Sequence, residues 1–191
     1  SGSGPLAGLR VLDAARCLAA PFCGQVFGDL GAEVLKVERP GAGDETRGWG
    51  PPFVPFGSEN AVAELSAYYL SCNRNKHGVT LDLAQPEGVH IFQELTRKSD
   101  IVLENFRATS AAKLGLSPAE LLAVNPRLIV CSISGYGRTG PWSHLPGYDF
   151  AIQALSGLMS ITGPANGGTL TPSHRRRPIR APQRGADTLP V

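Results

Sequence analysis

The chain has 191 residues, 42% hydrophobic and 18% charged, a balance that excludes a disordered polymer and allows one sizeable α/β core with or without a tail. No apolar run reaches the roughly eighteen residues of a bilayer span, so no membrane partner is expected. The net charge of +2 is uneven: from His174 onward five arginines (Arg175, Arg176, Arg177, Arg180, Arg184) face one acid, Asp187, so the body of the chain is slightly acidic.

Residues 1–4, Ser-Gly-Ser-Gly, carry neither a basic nor an apolar stretch and read as an expression scar. Arg10 to Asp13 reads as a first strand and Pro21 to Leu30 as a helix ended by Gly31. Glu33 to Val37 is a second strand, closed by Pro40. Gly78 to Asp82 is a third, followed by a helix from Pro86, which suits a first helical turn, to Lys98. Ile101 to Glu104 is a fourth strand. Ser117 and Glu120 form a capping box that opens a helix ending near Asn125-Pro126. Leu128 to Ser132 is a fifth strand, and Tyr148 to Ile161 a last helix. Strands separated by helices of this length predict βαβ units and a Rossmann-like, doubly wound parallel sheet, α/β in class. After Gly163 apolar periodicity disappears, so residues 5–166 are expected to form the folded domain and 167–191 a poorly ordered basic tail.

Two Gly- and Pro-rich loops, 40–60 and 134–147, leave strand ends, where open α/β sheets collect ligands. Gly135-Tyr136-Gly137-Arg138-Thr139-Gly140 spells GxGxxG after a strand, yet Pro141-Trp142 follows where a dinucleotide fingerprint needs a helix to open. A nicotinamide or flavin oxidoreductase is therefore the remote reading, and a loop whose glycines admit a ligand the nearer one. Arg39, Arg74, Lys76 and Arg107 each stand at the boundary of an element, which suggests a site for a polyanion. Phe106 offers a flat surface for a purine. The four cysteines (Cys17, Cys23, Cys72, Cys131) form no CxxC pair, so no metal is expected and a reducing compartment is the default. That compartment is the cytoplasm, or the mitochondrial matrix where a targeting segment has been removed. One short basic run without interleaved aromatics makes a poor nucleic-acid arm, so no nucleic acid is expected.

An ordered set of segments resembles the family III (CaiB/BaiF-type) CoA-transferases. Pro5 to Asp13 looks like the family's opening. Gly28 to Pro40 follows, with Gly43-Asp44 and Thr46-Arg47, then Asn73 to Lys76, Val102 to Arg107, Lys113 to Leu116 and Asn125 to Ile129. Ser132 to Gly137 and Pro146 to Asp149 complete the series, and the match runs from Pro5 to about Pro164. The stretches from Arg39 to Asp44, Trp49 to Phe53 and Ser156 to Met159 are most similar to transferases acting on dicarboxylates of the succinate and glutarate type.

The resemblance implies that coenzyme A, free or as acyl-CoA, lies across the strand ends. Leu18 and Ala19 would line the loop after the first strand, and Arg39 would face phosphates. Leu81, Asp82, Leu83 and Ala84 would hold the adenine side; Asn105, Phe106, Arg107 and Ala108 the nucleotide and pantetheine. Lys113 would add charge, and Ser134, Gly135, Tyr136 and Gly137 backbone contacts. It also implies a carboxylic acid as second substrate, a homodimer in the complete protein, and an aspartate nucleophile that forms a mixed anhydride and then an aspartyl-CoA thioester. That aspartate is expected shortly after Thr162-Gly163-Pro164, but residues 171–180 contain no acid. Asp187 is the one weak candidate beyond it, and the tail reads as a truncated or frame-shifted end. A chain that binds CoA without transferring it, or a partner-binding domain, is the alternative.

Overall fold

A computed structural model describes residues 3–56 and 63–163. By its packing the chain divides into two compact units, Ser1–Ser134 and Gly135–Val191. The first unit contains β1 (Arg10–Asp13), α1 (Ala19–Asp29), β2 (Glu33–Glu38), a hairpin of β3 (Phe53–Phe56) and β4 (Ala63–Ser66), α2 (Ala67–Asn73), and β5 (Lys76–Thr80). It continues through α3 (Pro86–Arg97), β6 (Ile101–Glu104), α4 (Ala108–Lys113), α5 (Pro118–Val124) and β7 (Ile129–Ser132). α6 (Asp149–Leu155) belongs to the second unit.

The expected doubly wound sheet is present: five strands run parallel in the order β5-β2-β1-β6-β7. Two crossovers wind one way from β1 and two the other, so the order reverses between β1 and β6. Alternation of side chains along each strand explains why both faces are covered. Leu12, Val37 and Val102 point to one face, where Phe92 of α3 and Leu121 of α5 join them. Val11, Val34, Ile101 and Leu103 point to the other, where Ala20 of α1 packs and Cys23 and Phe27 border the cluster. All four residues of β6 are buried, as a strand covered on both faces requires.

Local chemistry sets the boundaries. Gly31, at φ +98°, turns the chain from α1 into β2. The capping box of α5 is formed as read: Ser117 and Glu120 exchange side-chain to backbone hydrogen bonds. α6 stops at Leu155 rather than near Ile161, because Gly157 adopts φ +78° and breaks the helical path. β5 begins two residues before the expected Gly78, at Lys76, whose ammonium pairs with the buried Asp13. β3 lies in the expected 40–60 loop, and β4, α2 and α4 lie in segments with no expected element.

Helix α3 meets the end of β5 through a glycine. A Cβ on Gly88 would collide with the backbone carbonyl oxygen of Asp82, which belongs to the turn 81–84. Alanine in a helix ordinarily gains up to about 1 kcal/mol over glycine, whereas overpacking against fixed backbone costs about 1–3 kcal/mol. Gly88→Ala is therefore expected to lower stability by about 1–2 kcal/mol in urea denaturation. A variant as stable as the parent would mean that the 81–84 turn yields freely.

Candidate functional site

At the C-terminal ends of β1, β2, β5 and β6 lies a cleft of about 220 Å3, on the side of the sheet where its order reverses. Ala14, Ala15 and Arg16 lead out of β1 along one wall; Val37, Glu38 and Arg39 end β2 beside them. Leu81 to Ala84 follow β5, and Phe106 follows β6. Phe106, Leu114 and Leu83 also border the cluster around Phe92, so the apolar floor of the cleft is continuous with the core.

The floor rests on buried charges. Lys36 Nζ lies 3.1 Å from Asp44 Oδ2, with both side chains 1% exposed. The same ammonium donates to the Ala15 carbonyl at 2.9 Å, while Asp44 accepts the Cys17 N–H and both the N–H and hydroxyl of Thr46. Burial raises the Asp44 carboxyl, but the Thr46 donors and Lys36 outweigh it and hold it below its ordinary value. Glu38 accepts two bonds from Arg47 at 2.7 and 2.8 Å, one from the Tyr69 hydroxyl at 2.7 Å and one from Asp44 N–H at 2.9 Å. Burial again opposes ionisation, yet these donors bring the Glu38 carboxyl to about 2. Arg47 stacks over the Tyr69 ring at 4.0 Å from its centroid, so the guanidinium is held on two sides.

Of the residues the resemblance implied, the structure brings Arg39, Leu81, Asp82, Leu83, Ala84 and Phe106 together along the cleft. Asn105 stands beside it, but its side-chain amide is already engaged. Its Oδ1 accepts the Arg16 N–H at 3.0 Å and its Nδ2 donates to the Arg16 carbonyl at 2.8 Å. Arg107 is the N-cap of α4, with Ala108 opening that helix and Lys113 in its last turn; all three are exposed and none lines the cleft. Leu18 and Ala19 are exposed at the start of α1, also outside the lining. Ser134 ends the first unit; Gly135, Tyr136 and Gly137 belong to the second. Asp187 and the tail from 167 lie outside the described residues.

Of the four cations expected around a polyanion, Arg39 alone lines the cleft; Arg107 is exposed outside it, and the other two are tied to carboxylates. The Lys76 side chain is 2% exposed, and its ammonium bonds Asp13 at 2.7 Å, the Pro21 carbonyl and Asn73. Burial lowers its pKa, and only the Asp13 carboxylate beside it opposes that effect strongly. Arg74 grips Asp29 with Nε and Nη2, at the far end of β5 from the cleft. Both are structural because each has a carboxylate within reach, which sequence position alone does not reveal. Conversely, the sequence reading missed Arg16 and Glu45, which face each other at the cleft mouth. Asp44 preceding Thr46-Arg47 was the available signal, since it caps the 3-10 turn Glu45–Gly48.

The GxGxxG string does not form a dinucleotide turn. No helix opens on Gly140, and α6 begins only at Asp149. Gly135 instead serves its own loop: a Cβ there would lie 2.5 Å from Gly147 Cα, so the loop's two ends touch backbone to backbone. Tyr136 and Trp142 pack edge to face at 5.7 Å within it. Cys17, Asp44 and Glu45 place their ligand atoms within 4.8 Å of one another, but Lys36 and Thr46 already occupy Asp44. Burial, followed by Glu45 and Asp44, raises the Cys17 thiol pKa, which disfavours a thiolate there. Among the described residues no helix is long and apolar enough to cross a membrane.

The family model for CoA-transferase family III matches residues 6–182, further than the Pro164 expected from the segments. Succinate–glutarate CoA-transferase of Agrobacterium fabrum is 49% identical over 165 residues, 85% of this chain and 40% of its own length. Human succinyl-CoA:glutarate CoA-transferase is 49% identical over 168 residues, 88% of this chain and 36% of its own. A CaiB/BaiF family protein from Brucella suis superposes with a TM-score of 0.81 at 43% identity, covering 90% of this chain and 44% of that one. The chain thus spans less than half the length of each of these proteins.

The Glu38 knot has a pH signature. Its folded pKa is depressed, so its contribution is complete above the ordinary 4.5 and is lost as pH falls toward about 2. A displacement of that size corresponds to on the order of 3 kcal/mol for a carboxylate this buried. Stability measured by denaturation should fall between pH 5 and 2 more steeply in the parent than in Glu38→Gln. Parallel curves would show that Glu38 is not the titrating group.

Proposed function

The chain belongs to CoA-transferase family III, and on that footing we propose that the cleft at the strand ends binds the nucleotide end of coenzyme A or an acyl-CoA. The observation that carries this reading is the meeting of Arg39, the 81–84 turn and Phe106 around one cavity with an apolar floor and a cationic rim. A purine needs flat apolar surface, and a diphosphate needs guanidinium donors. At about 220 Å3 the cavity is smaller than the roughly 300–1,000 Å3 of sites that enclose a whole drug-sized ligand. It suits one end of a long ligand, with pantetheine running outside it. Losing a charged hydrogen bond costs about 1.5–3 kcal/mol, so Arg39→Ala should weaken CoA at least several-fold in calorimetry. Unchanged affinity would remove Arg39 from the site. Stabilisation by NAD or NADP but not by CoA in thermal melts would replace the reading with a dinucleotide one.

For the complete protein we propose transfer of CoA between carboxylic acids, with dicarboxylates as the class. The support is the high identity to proteins named for succinate, glutarate and succinyl-CoA. The chemistry proposed is covalent. An aspartate oxygen attacks the thioester carbonyl and expels CoA thiolate, leaving a mixed anhydride. The thiolate then attacks the aspartyl carbonyl, releasing the first acid and leaving an aspartyl-CoA thioester for the acceptor to reverse.

For this chain we propose binding without transfer. Residues 171–180 hold no acid, and three buried carboxylates at the first unit's sheet ends are already paired. Asp13 is paired with Lys76, Glu38 with Arg47 and Tyr69, and Asp44 with Lys36. Mass spectrometry after incubation with succinyl-CoA should find no acyl or CoA adduct. An adduct on Asp187 that disappears in Asp187→Ala would overturn this and make the tail a working part.

A further inference from the structure

Glu45 opens the 3-10 turn after β2, and a single oxygen of its carboxylate, Oε1, receives two guanidinium groups. Arg16 Nη1 approaches it at 2.7 Å and Arg39 Nη2 at 3.5 Å. The two arginines come from neighbouring strand ends, β1 and β2, and both line the cleft. Arg16 is firmly placed, since its backbone N–H and carbonyl are both held by the Asn105 amide. Its guanidinium end is free to change partners: the Arg16, Arg39 and Glu45 side chains are 47%, 58% and 36% exposed. Surface ion pairs of this kind are worth little, because water screens them.

The charge balance of the cleft sharpens the point. Glu38 and Asp44 also line it, but Arg47 and Lys36 neutralise them from behind. Asp82 lies on the β5 side, its carboxylate accepting the Ala84 N–H. On the β1 and β2 side the two guanidiniums therefore meet one weakly held carboxylate. Two arginines converging on a single oxygen atom reproduce the donor arrangement that a phosphoryl oxygen requires.

We propose that Arg16 and Arg39 together form a fork for a phosphoryl group of the bound nucleotide, and that Glu45 is the internal anion occupying the fork until the ligand displaces it. The proposal rests on the CoA-binding reading above and adds two residues to it: Arg16 as a ligand contact and Glu45 as a competitor. An incoming diphosphate carries more charge than one carboxylate and can bond both guanidiniums at once, so exchange favours it. Glu45 then weakens binding in proportion to its own hold on the arginines.

The test is isothermal calorimetry with CoA, and separately with inorganic pyrophosphate, on the parent chain, Arg16→Met, Glu45→Gln and the double variant. All three residues are at least a third exposed, and a melting curve for each variant checks that the fold is intact. Arg16→Met should weaken CoA by five-fold or more, and Glu45→Gln should tighten it by about two- to five-fold, on the scale of an exposed ion pair. The gain from Glu45→Gln should shrink when Arg16 is already absent, because part of the competitor's hold has gone. Unchanged affinity in Arg16→Met sinks the fork. Weaker binding in Glu45→Gln sinks the competitor role, since it would mean that Glu45 orients the arginines for the ligand. If the parent binds pyrophosphate with this dependence but not CoA, the fork stands and the CoA reading falls. If it binds neither, both fall.

Discussion

Burying a lysine and an aspartate at the end of a parallel sheet is costly unless each completes the other, and that constraint organises the first unit. Lys36 and Asp44 are almost wholly removed from water, where an unpaired ion would lose several kcal/mol of hydration. They therefore fix where residues 36 and 44 must sit, and with them everything attached. The Ala15 carbonyl is drawn to the ammonium and the Cys17 N–H to the carboxylate. Cys17 accepts a φ of +65° to reach it, an unfavourable conformation for a residue with a Cβ. Such a pair adds little net stability over a well-packed apolar one, but removing one partner strands the other, at about 3–5 kcal/mol. Its value is that it admits one arrangement of the loop after β1.

The same logic extends outward in layers of decreasing burial. Glu38 is tied by four donors just above Lys36 and Asp44, and Tyr69, supplied by α2, brings a second element into register with the sheet. The Tyr69 hydroxyl loses water by burial and faces the Glu38 carboxylate, so its pKa is driven upward and it stays a donor. At the cleft rim the ties loosen: Arg16, Arg39 and Glu45 are exposed and their pairing is exchangeable. Strong, dry pairs hold the scaffold, and weak, wet ones stand at the cleft rim.

This layering also explains which parts of the molecule were legible in the sequence. β1, β2, β6 and β7 are short apolar runs bounded by charge or glycine, and each was placed within a residue or so of its observed limits. β5 starts earlier than expected because its first residues are polar, and Lys76 finds its partner only in a distant aspartate, a contact with no local signature. α2 and α4 follow no repeating apolar pattern long enough to identify them; the Ser66 cap of α2 is one residue among many serines. The site was legible as chemistry and not as geometry. Arg39 and Phe106 were found by residue type at strand ends, and the resemblance added the 81–84 turn. Arg74 and Lys76 have the same residue types in the same kind of position, yet they face inward or backward to carboxylates. Which arginine or lysine meets a carboxylate and which meets a cleft is settled by tertiary distance.

Binding and catalysis make opposite demands on a carboxylate, and the paired acids of the first unit suit only the former. A nucleophilic carboxylate must present a lone pair to an electrophilic carbon, so it cannot be saturated with donors. Asp44 and Glu38 are held below their ordinary pKa by hydrogen bonds that would have to break before either could attack. Breaking them would also release the Ala15 to Cys17 loop and Arg47, dismantling the cleft itself. Acids held in this way shape the cleft and are not presented as nucleophiles. On the proposed reading, affinity for CoA and transfer are separable, because transfer needs a carboxylate that these pairings leave free.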